Sequence, residues 1–524
     1  MSVQPSIYER VLEQHQGRDP LRMAKKLALI AGDPFDFFRG TNALFFESLP
    51  VSELLHDTPR VLCCGDLHLE NFGSFRGANR LVYFDLNDFD EACVAPLAYE
   101  VLRFLASVHA GAASLGLAAK QADKLCRIFL QRYAAALAEG KPAWLERPTA
   151  RGLVKQLLDG LRSRHRLALL GERTLLRKDG SRALRVDDKR ILAVTPKEHK
   201  RVQVCLQAYA DAQPNPDFYH VLDIGGRVAG NGSLGVPRYI VLVEGRGGVD
   251  GHFLLDLKAA NPSALAPHVP PPQPSWPVEG ERVTAMQKVM SAMAPALLAP
   301  VKLHGDSFVL KELQPSADRL DLDGVRGDLA VLTEVIEDMA QLTAWAQLRG
   351  SARYGAALPD ELMNFGMRSD WQAPLLRAAR EAAERNLAQW QAFRKEHLQT
   401  QPGTRVKAAK PAKSAPAPAE AKASKSKQSK GKSSEAKSSE AGMPKAKAPK
   451  VRKEKAKDVK AKEAKGKEPK SKAPKSKAPK SKAPKSKAPK TKAPKSKAPR
   501  SKAPRSKAPK SKAPKTKAPK TKAP

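Results

Sequence analysis

The chain has 524 residues and a formal net charge of +38, and 41% of its residues are hydrophobic, so it is too long for one small domain. The charge is unevenly distributed, because residues 401–524 hold 43 of the 92 Lys and Arg but only 7 of the 54 Asp and Glu. The residues before 401 are therefore nearly neutral, which excludes a strongly basic folded part and places the charge in a C-terminal tail.

The sequence favours neither secretion nor membrane insertion. No N-terminal stretch combines the charged start, apolar core and cleavage site of a signal peptide, and no apolar run reaches membrane-spanning length. The five cysteines lack the spacing of a disulfide framework, and Cys63-Cys64 beside His68 has no second pair at zinc-ligand spacing. We therefore expect reduced, buried thiols in a cytoplasmic protein.

The first elements are helical and aromatic. Residues 6–31 predict a helix that ends before Gly32-Asp33-Pro34. In the next segment, PFDFFRG at 34–40, the phenylalanines favour a core position. Arg39 in this segment is either a salt-bridge partner or a weak candidate for a phosphate ligand. Residues 60–64 and 81–85 predict strands, with a hairpin turn at 76–79.

The loop between these strands carries the first candidate active-site residues. Asp66 and Asn71 lie five positions apart in the loop, and the second strand delivers Asp85. A base followed by hard oxygen ligands for Mg²⁺ is the layout of phosphoryl-transfer enzymes. The pattern predicts Asp66 as the catalytic base and Asn71 and Asp85 as metal ligands. The alternative is that these are turn residues that bond their own backbone.

Four carboxylates, Asp85, Asp88, Asp90 and Glu91, lie within seven residues. Their mutual repulsion requires cations or hydrogen bonds nearby. The cluster therefore predicts a metal or a basic partner, with Asp88 as a further metal ligand. Capping of the following helix is the open alternative for Asp88 and Asp90.

Apolar periodicity then predicts helices from residue 96 to about 140 and over about 150–170, which indicates a bundle-like helical lobe. Residues 171–200 are poorly periodic and indicate a boundary or a short hairpin. Beyond the Pro-rich linker at 262–277, residues 300–313 predict a hairpin, and 325–349 and 370–398 predict helices.

A glycine-rich segment, GNGSLG at 230–235, precedes two predicted strands, the second of which ends at Lys258. A dinucleotide site would continue from such a segment into a helix, whereas this one continues into β-branched residues. Strand, glycine segment, strand and lysine are the order in which a kinase covers the phosphates of ATP. The pattern predicts that ATP phosphates bind Gly230, Gly232, Ser233, Gly235 and Lys258. It also predicts that Glu281, rather than Glu279, pairs with Lys258.

The tail ends in ten copies of the pentad Ser/Thr-Lys-Ala-Pro-Lys/Arg, which begin at Ser471. Frequent proline, repulsion of like charges and the absence of large apolar side chains in the repeats predict a disordered, extended segment. Its composition resembles the tails of linker histones and of some nucleoid-associated proteins. DNA, RNA or polyphosphate would serve as a partner, and a solvated tail without a specific partner is the alternative.

Over about residues 20–400 the chain resembles a bacterial family of uncharacterised proteins, the domain-of-unknown-function family 2252 (DUF2252). The resemblance is carried by the segments PFDFFRG at 34–40, GDLHLENFG at 65–73, FDLNDFDE at 84–91, RVAGNGSLG at 227–235, DLK at 256–258 and GERV at 280–283. The Asp66–Asn71 and Asp85 segments are also similar to those of aminoglycoside and choline phosphotransferases, in which an acidic residue of a later helix corresponds to Glu100. Where the family tends to carry a His, this chain has Gln347.

The resemblance implies an α+β, two-lobed kinase-like fold in circularly permuted order, because the glycine segment and Lys258 follow the catalytic loop instead of preceding it. The expected parts are a helical lobe with the catalytic loops at 1–180, a β-rich nucleotide-binding part at 181–320, C-terminal helices at 321–400 and a disordered tail at 401–524.

The expected function is phosphoryl transfer from ATP with Mg²⁺ to an unknown acceptor, with adenylyl transfer, as in the selenoprotein O family, as a variant. One alternative is a nucleoid- or polyanion-associated protein with a weakly active or inactive nucleotide-binding module. Another is a metal-dependent hydrolase that needs Asp88 and Asp90 but not Lys258.

Overall fold

The computed structural model describes residues 4–50, 52–162, 165–230, 232–303, 305–315 and 319–400. The helices are α1 Ile7–Gln14, α2 Pro20–Gly32, α3 Pro34–Gly40, α4 Asn42–Glu47, α5 Glu53–His56, α6 Leu97–Ala110, α7 Ala119–Glu139, α8 Gly152–Leu161, α9 Arg166–Arg173, α10 Pro196–Asp211, α11 Glu279–Met290, α12 Leu329–Gly350, α13 Pro359–Gly366 and α14 Gln372–Thr400. The strands are β1 Arg60–Cys63, β2 Phe72–Arg76, β3 Val82–Leu86, β4 Cys93–Pro96, β5 Leu145–Glu146, β6 Thr174–Leu176, β7 Arg182–Leu184, β8 Ile191–Leu192, β9 Val221–Arg227, β10 Arg238–Val243, β11 Phe253–Ala259, β12 Ala299–Leu303 and β13 Asp306–Glu312.

The N-terminal region forms two helices where one was predicted. Gly17 adopts a left-handed φ of +78° after α1, a conformation that glycine reaches without steric cost. The Asp19 carboxylate then caps α2 by accepting the Arg22 N–H at 2.8 Å, and Pro20 takes the first helical position. A break and a new start signal therefore divide the predicted helix.

The predicted hairpin near residue 78 is formed by β2 and β3, which pair antiparallel with Gly73 opposite Asp85. The other predicted strand, at 60–64, corresponds to β1, which pairs antiparallel with β4. The Asp66 loop consequently joins two different small sheets, and β4 leads directly into α6.

The long helices predicted from periodicity are present and form the largest hydrophobic core. In this core α7 packs against α12 and α13, while α14 packs against α6. Leu102, Phe104, Phe129 and Leu342 are among the side chains that it buries almost completely. This helical assembly lies behind the Asp66 loop and supports it.

The other large element is a curled, six-stranded half-barrel with the strand order β12-β13-β11-β10-β9-β8, in which every neighbouring pair is antiparallel. Helix α10 covers the outer face, where Val202 and Leu206 pack with Val241, Leu255 and Leu257. Because side chains alternate between the two faces of a strand, the neighbouring positions Ile240, Asp256 and Lys258 point to the inner face.

The described residues belong to a compact unit that spans Met1–Ala417, so the finer division at 180 and 320 stays a prediction. The predicted disorder of 401–524 lies outside the described residues. All five cysteines are buried and free of disulfides, as expected. Among the helices that the structure describes, none is long and apolar enough to cross a membrane.

Candidate functional site

A cavity of about 780 Å³ lies between the inner face of the half-barrel and the loops that follow β1 and β3. The glycine segment and Lys258 line it from the sheet side, and Asp66, Asp88 and Asp90 line it from the loop side. The cavity therefore brings together groups that are far apart in the chain.

Lys258 forms the direct link across this cavity. Its side chain is 11% exposed, and its ammonium Nζ is paired with the Asp90 carboxylate and lies 3.6 Å from Asp88 Oδ2. The expected ion pair with Glu281 is absent, although both residues lie in the described chain, and Glu279 bonds Arg282 Nε at 2.5 Å. The carboxylates that hold Lys258 therefore come from the segment after β3 and not from α11.

Asp88 and Asp90 differ in their affinity for a proton. The Asp88 side chain is 59% exposed; partial loss of hydration works to raise its pKa, but Lys258, Lys311 and Arg238 outweigh this and hold that pKa well below its usual range. Burial and repulsion by Asp88 raise the pKa of Asp90 despite the pull of Lys258. Of the two, Asp88 therefore stays ionised to lower pH, which suits a carboxylate that binds a cation.

Asp85, which the sequence predicts as a metal ligand, is not among the described residues that line the cavity. Its carboxylate is 1% exposed, lies 3.1 Å from Arg349 Nη2 and accepts the backbone N–H groups of Leu86 at 2.9 Å and Ala292 at 3.2 Å. Burial raises the pKa of Asp85, and Arg349 opposes that rise. Asp85 therefore joins β3 to α12 beneath the site.

Asp66 lines the cavity and is held by Arg103 of α6. Asp66 Oδ1 accepts bonds from Arg103 Nε at 3.0 Å and Nη2 at 2.9 Å. The Arg103 guanidinium is fully buried and stacks over the rings of Phe38 at 3.5 Å and Phe45 at 4.4 Å. Burial raises the pKa of Asp66, and Arg103 opposes that rise. Sequence reasoning missed Arg103, although an arginine within the apolar run 97–108 is a signal for a buried ion pair.

Asn71 connects the Asp66 loop to residues 85–91, called here the acidic segment. Its side-chain Nδ2 donates to the carbonyls of Asp66 at 2.9 Å and Asp88 at 3.2 Å, and its Oδ1 accepts the Asp88 N–H at 2.8 Å. Asn71 is only 2% exposed. The Asn71 side chain therefore links the backbones of Asp66 and Asp88, and its Oδ1 already accepts one hydrogen bond.

The glycine segment is held from below by the N-terminal region. Gly230 and Gly235 have left-handed φ values of +79° and +86°. The Gly232 carbonyl accepts bonds from Arg18 Nη1 and Lys26 Nζ, both at 2.8 Å. The Ser233 hydroxyl donates to the Ala229 carbonyl at 3.1 Å. The sequence predicted the segment but did not indicate that Arg18 and Lys26 support it.

Arg282 of α11 is a second residue that sequence reasoning missed. Its Nη2 donates to the carbonyls of Asp90 and Asn261, both at 2.8 Å, and its Nη1 donates to the Ala92 carbonyl. Arg282 thereby joins the acidic segment to the residues that follow Lys258. Its position beside Glu281 in the GERV segment was the only available signal.

Glu100 supports the turn before Asp66. Its Oε1 accepts the N–H groups of Cys64 at 2.5 Å and Gly65 at 3.3 Å, and its Oε2 accepts Gln347 Nε2 at 2.8 Å. Arg39 pairs with Glu70 at 2.7 Å on the cavity wall, which agrees with the salt-bridge alternative.

The chain belongs to the bacterial family DUF2252, described as uncharacterized proteins conserved in bacteria, because the family model matches residues 18–396. No curated protein and no solved structure matches the chain.

Proposed function

We propose that the chain is an ATP- and Mg²⁺-dependent phosphotransferase. The fold would be a circularly permuted, two-lobed kinase-like fold, and the acceptor is unknown. One observation carries the proposal: Lys258 of the sheet meets Asp88 and Asp90 in the cavity that the glycine segment and Asp66 also line. Phosphoryl transfer requires such a set of a lysine, carboxylates and a base.

The cavity residues fit Mg²⁺ bound together with phosphate oxygens. Among the described residues, no three His, Cys, Asp or Glu side chains form a metal-binding group. Mg²⁺ in nucleotide enzymes needs only one or two carboxylates, because phosphates and waters complete its shell. Asp88 and Asp90 would hold the ion, in preference to Asp85, which Arg349 already neutralises. When bound, ATP with Mg²⁺ supplies the transferable phosphoryl group and neutralises its charge.

The side chains of the protein would then position the reactants. Lys258 and the backbone N–H groups of the glycine segment would bind phosphate oxygens, with Lys258 exchanging its bond to Asp90 for one to the ligand. Asp66 would accept the hydrogen bond of the acceptor hydroxyl, since Arg103 fixes its carboxylate at the cavity wall. A carboxylate with a pKa raised by burial is a better base than an exposed one.

The experiment is a calorimetric titration of the full chain with ATP and Mg²⁺, repeated for Lys258→Met, Asp88→Asn and Asp85→Asn. We expect Lys258→Met and Asp88→Asn each to weaken binding about tenfold or more, because each loses a charge-assisted contact. Asp85→Asn should bind like the parent once its folding is verified by thermal unfolding. The matched controls are Lys302→Met and Asp217→Asn, both exposed and outside the cavity. Parent-like binding by both Lys258→Met and Asp88→Asn would refute the assignment.

A second candidate function is supported by the composition of residues 401–524, with 43 Lys and Arg against 7 Asp and Glu. In this alternative the protein associates with nucleic acid or another polyanion in the nucleoid, and the folded part binds nucleotide with little turnover. The two functions differ in one measurement. ATP consumption that Lys258→Met abolishes supports the phosphotransferase. ATP binding without consumption supports the polyanion-associated protein whose folded part only binds nucleotide.

A further inference from the structure

The inner face of the half-barrel is divided into an apolar part and a charged part. Ile240, Leu242, Leu254 and Leu313 share a buried cluster with three side chains from the segment that runs from α9 through β8, namely Leu170, Leu184 and Ile191. That segment therefore packs against the apolar part of the face. Of this cluster, Ile191, Ile240 and Leu313 also line the cavity, and a ligand that extends under the sheet past Lys258 meets charged side chains as well.

The charged part is rich in cations. Arg238 lies opposite Lys258 in the register of β10 and β11, and Asp256 lies opposite Lys311 in the register of β11 and β13. Asp256 is 1% exposed and accepts Arg227 Nη1 at 2.6 Å and Arg238 Nε at 2.8 Å. One carboxylate is therefore shared by two guanidinium groups, and Arg173 and Arg190 line the same cavity.

The charge of Lys311 is compensated only by carboxylates that lie beyond ion-pair distance. Within the part of the chain that the structure describes, its ammonium forms no ion pair, although it lies on the cavity wall close enough to Asp88 and Asp256 to lower both their pKa values. Burial lowers the pKa of Lys311, and only the more distant attraction of Asp256 and Asp88 opposes this. Lys311 is half-buried, and an anionic ligand in the cavity would give its ammonium the directly bonded anion that the described residues do not supply.

We propose that Arg227, Arg238 and Lys311 form a second anion subsite on the inner face of the half-barrel, which binds the terminal phosphates of a phosphate chain. Guanidinium groups match phosphate oxygens bidentately, and an ammonium adds a point charge. A nucleoside triphosphate and inorganic polyphosphate share this chemistry. The subsite extends the proposed function. It rests on that function only where a nucleotide, and not inorganic polyphosphate, is the source of the phosphates.

The test measures thermal unfolding of the full chain with sodium tripolyphosphate in the absence of nucleotide and Mg²⁺. A ligand that binds only the folded state raises the unfolding temperature, whereas binding that is equal in folded and unfolded chains does not, which separates the cavity from the tail. We expect tripolyphosphate to stabilise the parent and Lys311→Arg, and to bind Lys311→Met about tenfold more weakly. Lys302→Met is the matched control, since it removes an exposed lysine from the neighbouring strand β12.

The outcomes separate the subsite from the proposed function. Equal stabilisation of the parent and Lys311→Met, or no stabilisation of the parent, overturns the subsite whatever happens with ATP. Stabilisation by tripolyphosphate without any binding of ATP and Mg²⁺ overturns the proposed function and retains the subsite for inorganic polyphosphate. If Lys311→Met weakens both ligands, the phosphates of the nucleotide occupy the subsite.

Discussion

At the scale of single residues, the site depends on buried or half-buried carboxylates whose cationic partners are supplied by the protein. Asp66 is held by Arg103, Asp85 by Arg349, and Asp90 by Lys258. A buried charge is tolerated only when a partner and hydrogen bonds compensate its loss of hydration. Removing one member of such a pair therefore costs more than removing both.

The Arg103–Asp66 pair allows a direct test of this argument. We expect Arg103→Met to lower the free energy of unfolding by about 3–5 kcal/mol, because it leaves the Asp66 carboxylate without its partner in a low-dielectric site. Urea unfolding provides the measurement, with Arg127→Met on the exposed side of α7 as the control. The double variant Arg103→Met/Asp66→Asn should recover part of the loss. No recovery would mean that lost packing over Phe38 and Phe45, and not the unpaired charge, explains the effect.

We expect Glu91 to make the free energy of unfolding depend on pH. Burial, with smaller contributions from Asp66 and Asp90, raises its pKa from 4.5 to about 7. The folded state therefore binds more protons than the unfolded state between these values, so stability falls as pH rises from about 4.5 to about 7. The full cost above pH 7 is about 3 kcal/mol at most.

The measurement is urea unfolding of the parent and Glu91→Gln at pH 5 and pH 8. The variant should be close to the parent at pH 5 and more stable than the parent at pH 8, since an amide does not ionise. Glu139→Gln, an exposed position at the end of α7, should show no such trend. A difference between parent and Glu91→Gln that does not change with pH would contradict the assignment.

At the scale of elements, α11 fixes the relation between the half-barrel and the acidic segment. It lies beside β12 and β13 and buries Val283 and Met286 in the main core, while Arg282 bonds three backbone carbonyls of the two connecting segments. A kinase-like site uses a helix glutamate to fix its lysine. Here α11 acts through an arginine and the backbone, and the lysine takes its carboxylates from the loop.

Replacement of Arg282 by Met should therefore loosen both segments together. We expect a loss of about 2–4 kcal/mol in unfolding free energy, because one buried and two partly buried backbone carbonyls lose a charged donor. Hydrogen exchange followed by mass spectrometry should show faster exchange in residues 88–94 and 260–265. Lys288→Met, exposed on the last turn of α11, is the control. Unchanged exchange in both segments would show that Arg282 does not join them.

At the scale of the whole molecule, the chain combines a nearly neutral folded part with a polycationic tail. Release of counterions would supply the affinity of the 43 basic residues of 401–524 for a polyanion. Such binding needs no particular nucleotide sequence in the partner. The proposed activity of the folded part and the predicted polyanion affinity of the tail should therefore be separable.

The tail predicts salt-dependent binding of duplex DNA of any sequence. Between about 50 and 200 mM salt we expect the affinity to fall by about 10³–10⁵ if the tail neutralises about six to ten phosphates. Filter binding or fluorescence anisotropy would measure the slope. A variant truncated after residue 400 should lose this DNA binding. Its unfolding temperature should equal that of the parent, which serves as the control for folding. Retained DNA affinity in the shortened chain would place the DNA site in the folded part.

The sequence alone determined the features that depend on local pattern and composition. These were the family, the long helices, the hairpin at 76–79, the glycine segment with its following strands and the polycationic tail. Periodicity and turn residues are local signals, so they can be interpreted without knowledge of the fold. The predicted permuted order of the parts also came from the sequence, and it stays a prediction.

Only the tertiary structure decided which of the clustered carboxylates faces the cavity and which cation holds each of them. Strand β3 is buried on both faces, so its pattern could not show that Asp85 turns toward Arg349 while Asp88 and Asp90 turn toward Lys258. Arg103 and Arg282 likewise gain their roles from segments far away in the chain. Ion pairs of this kind depend on how separate elements pack. In the unfolded chain the two charges are hydrated and far apart, and they become partners only when folding buries them together.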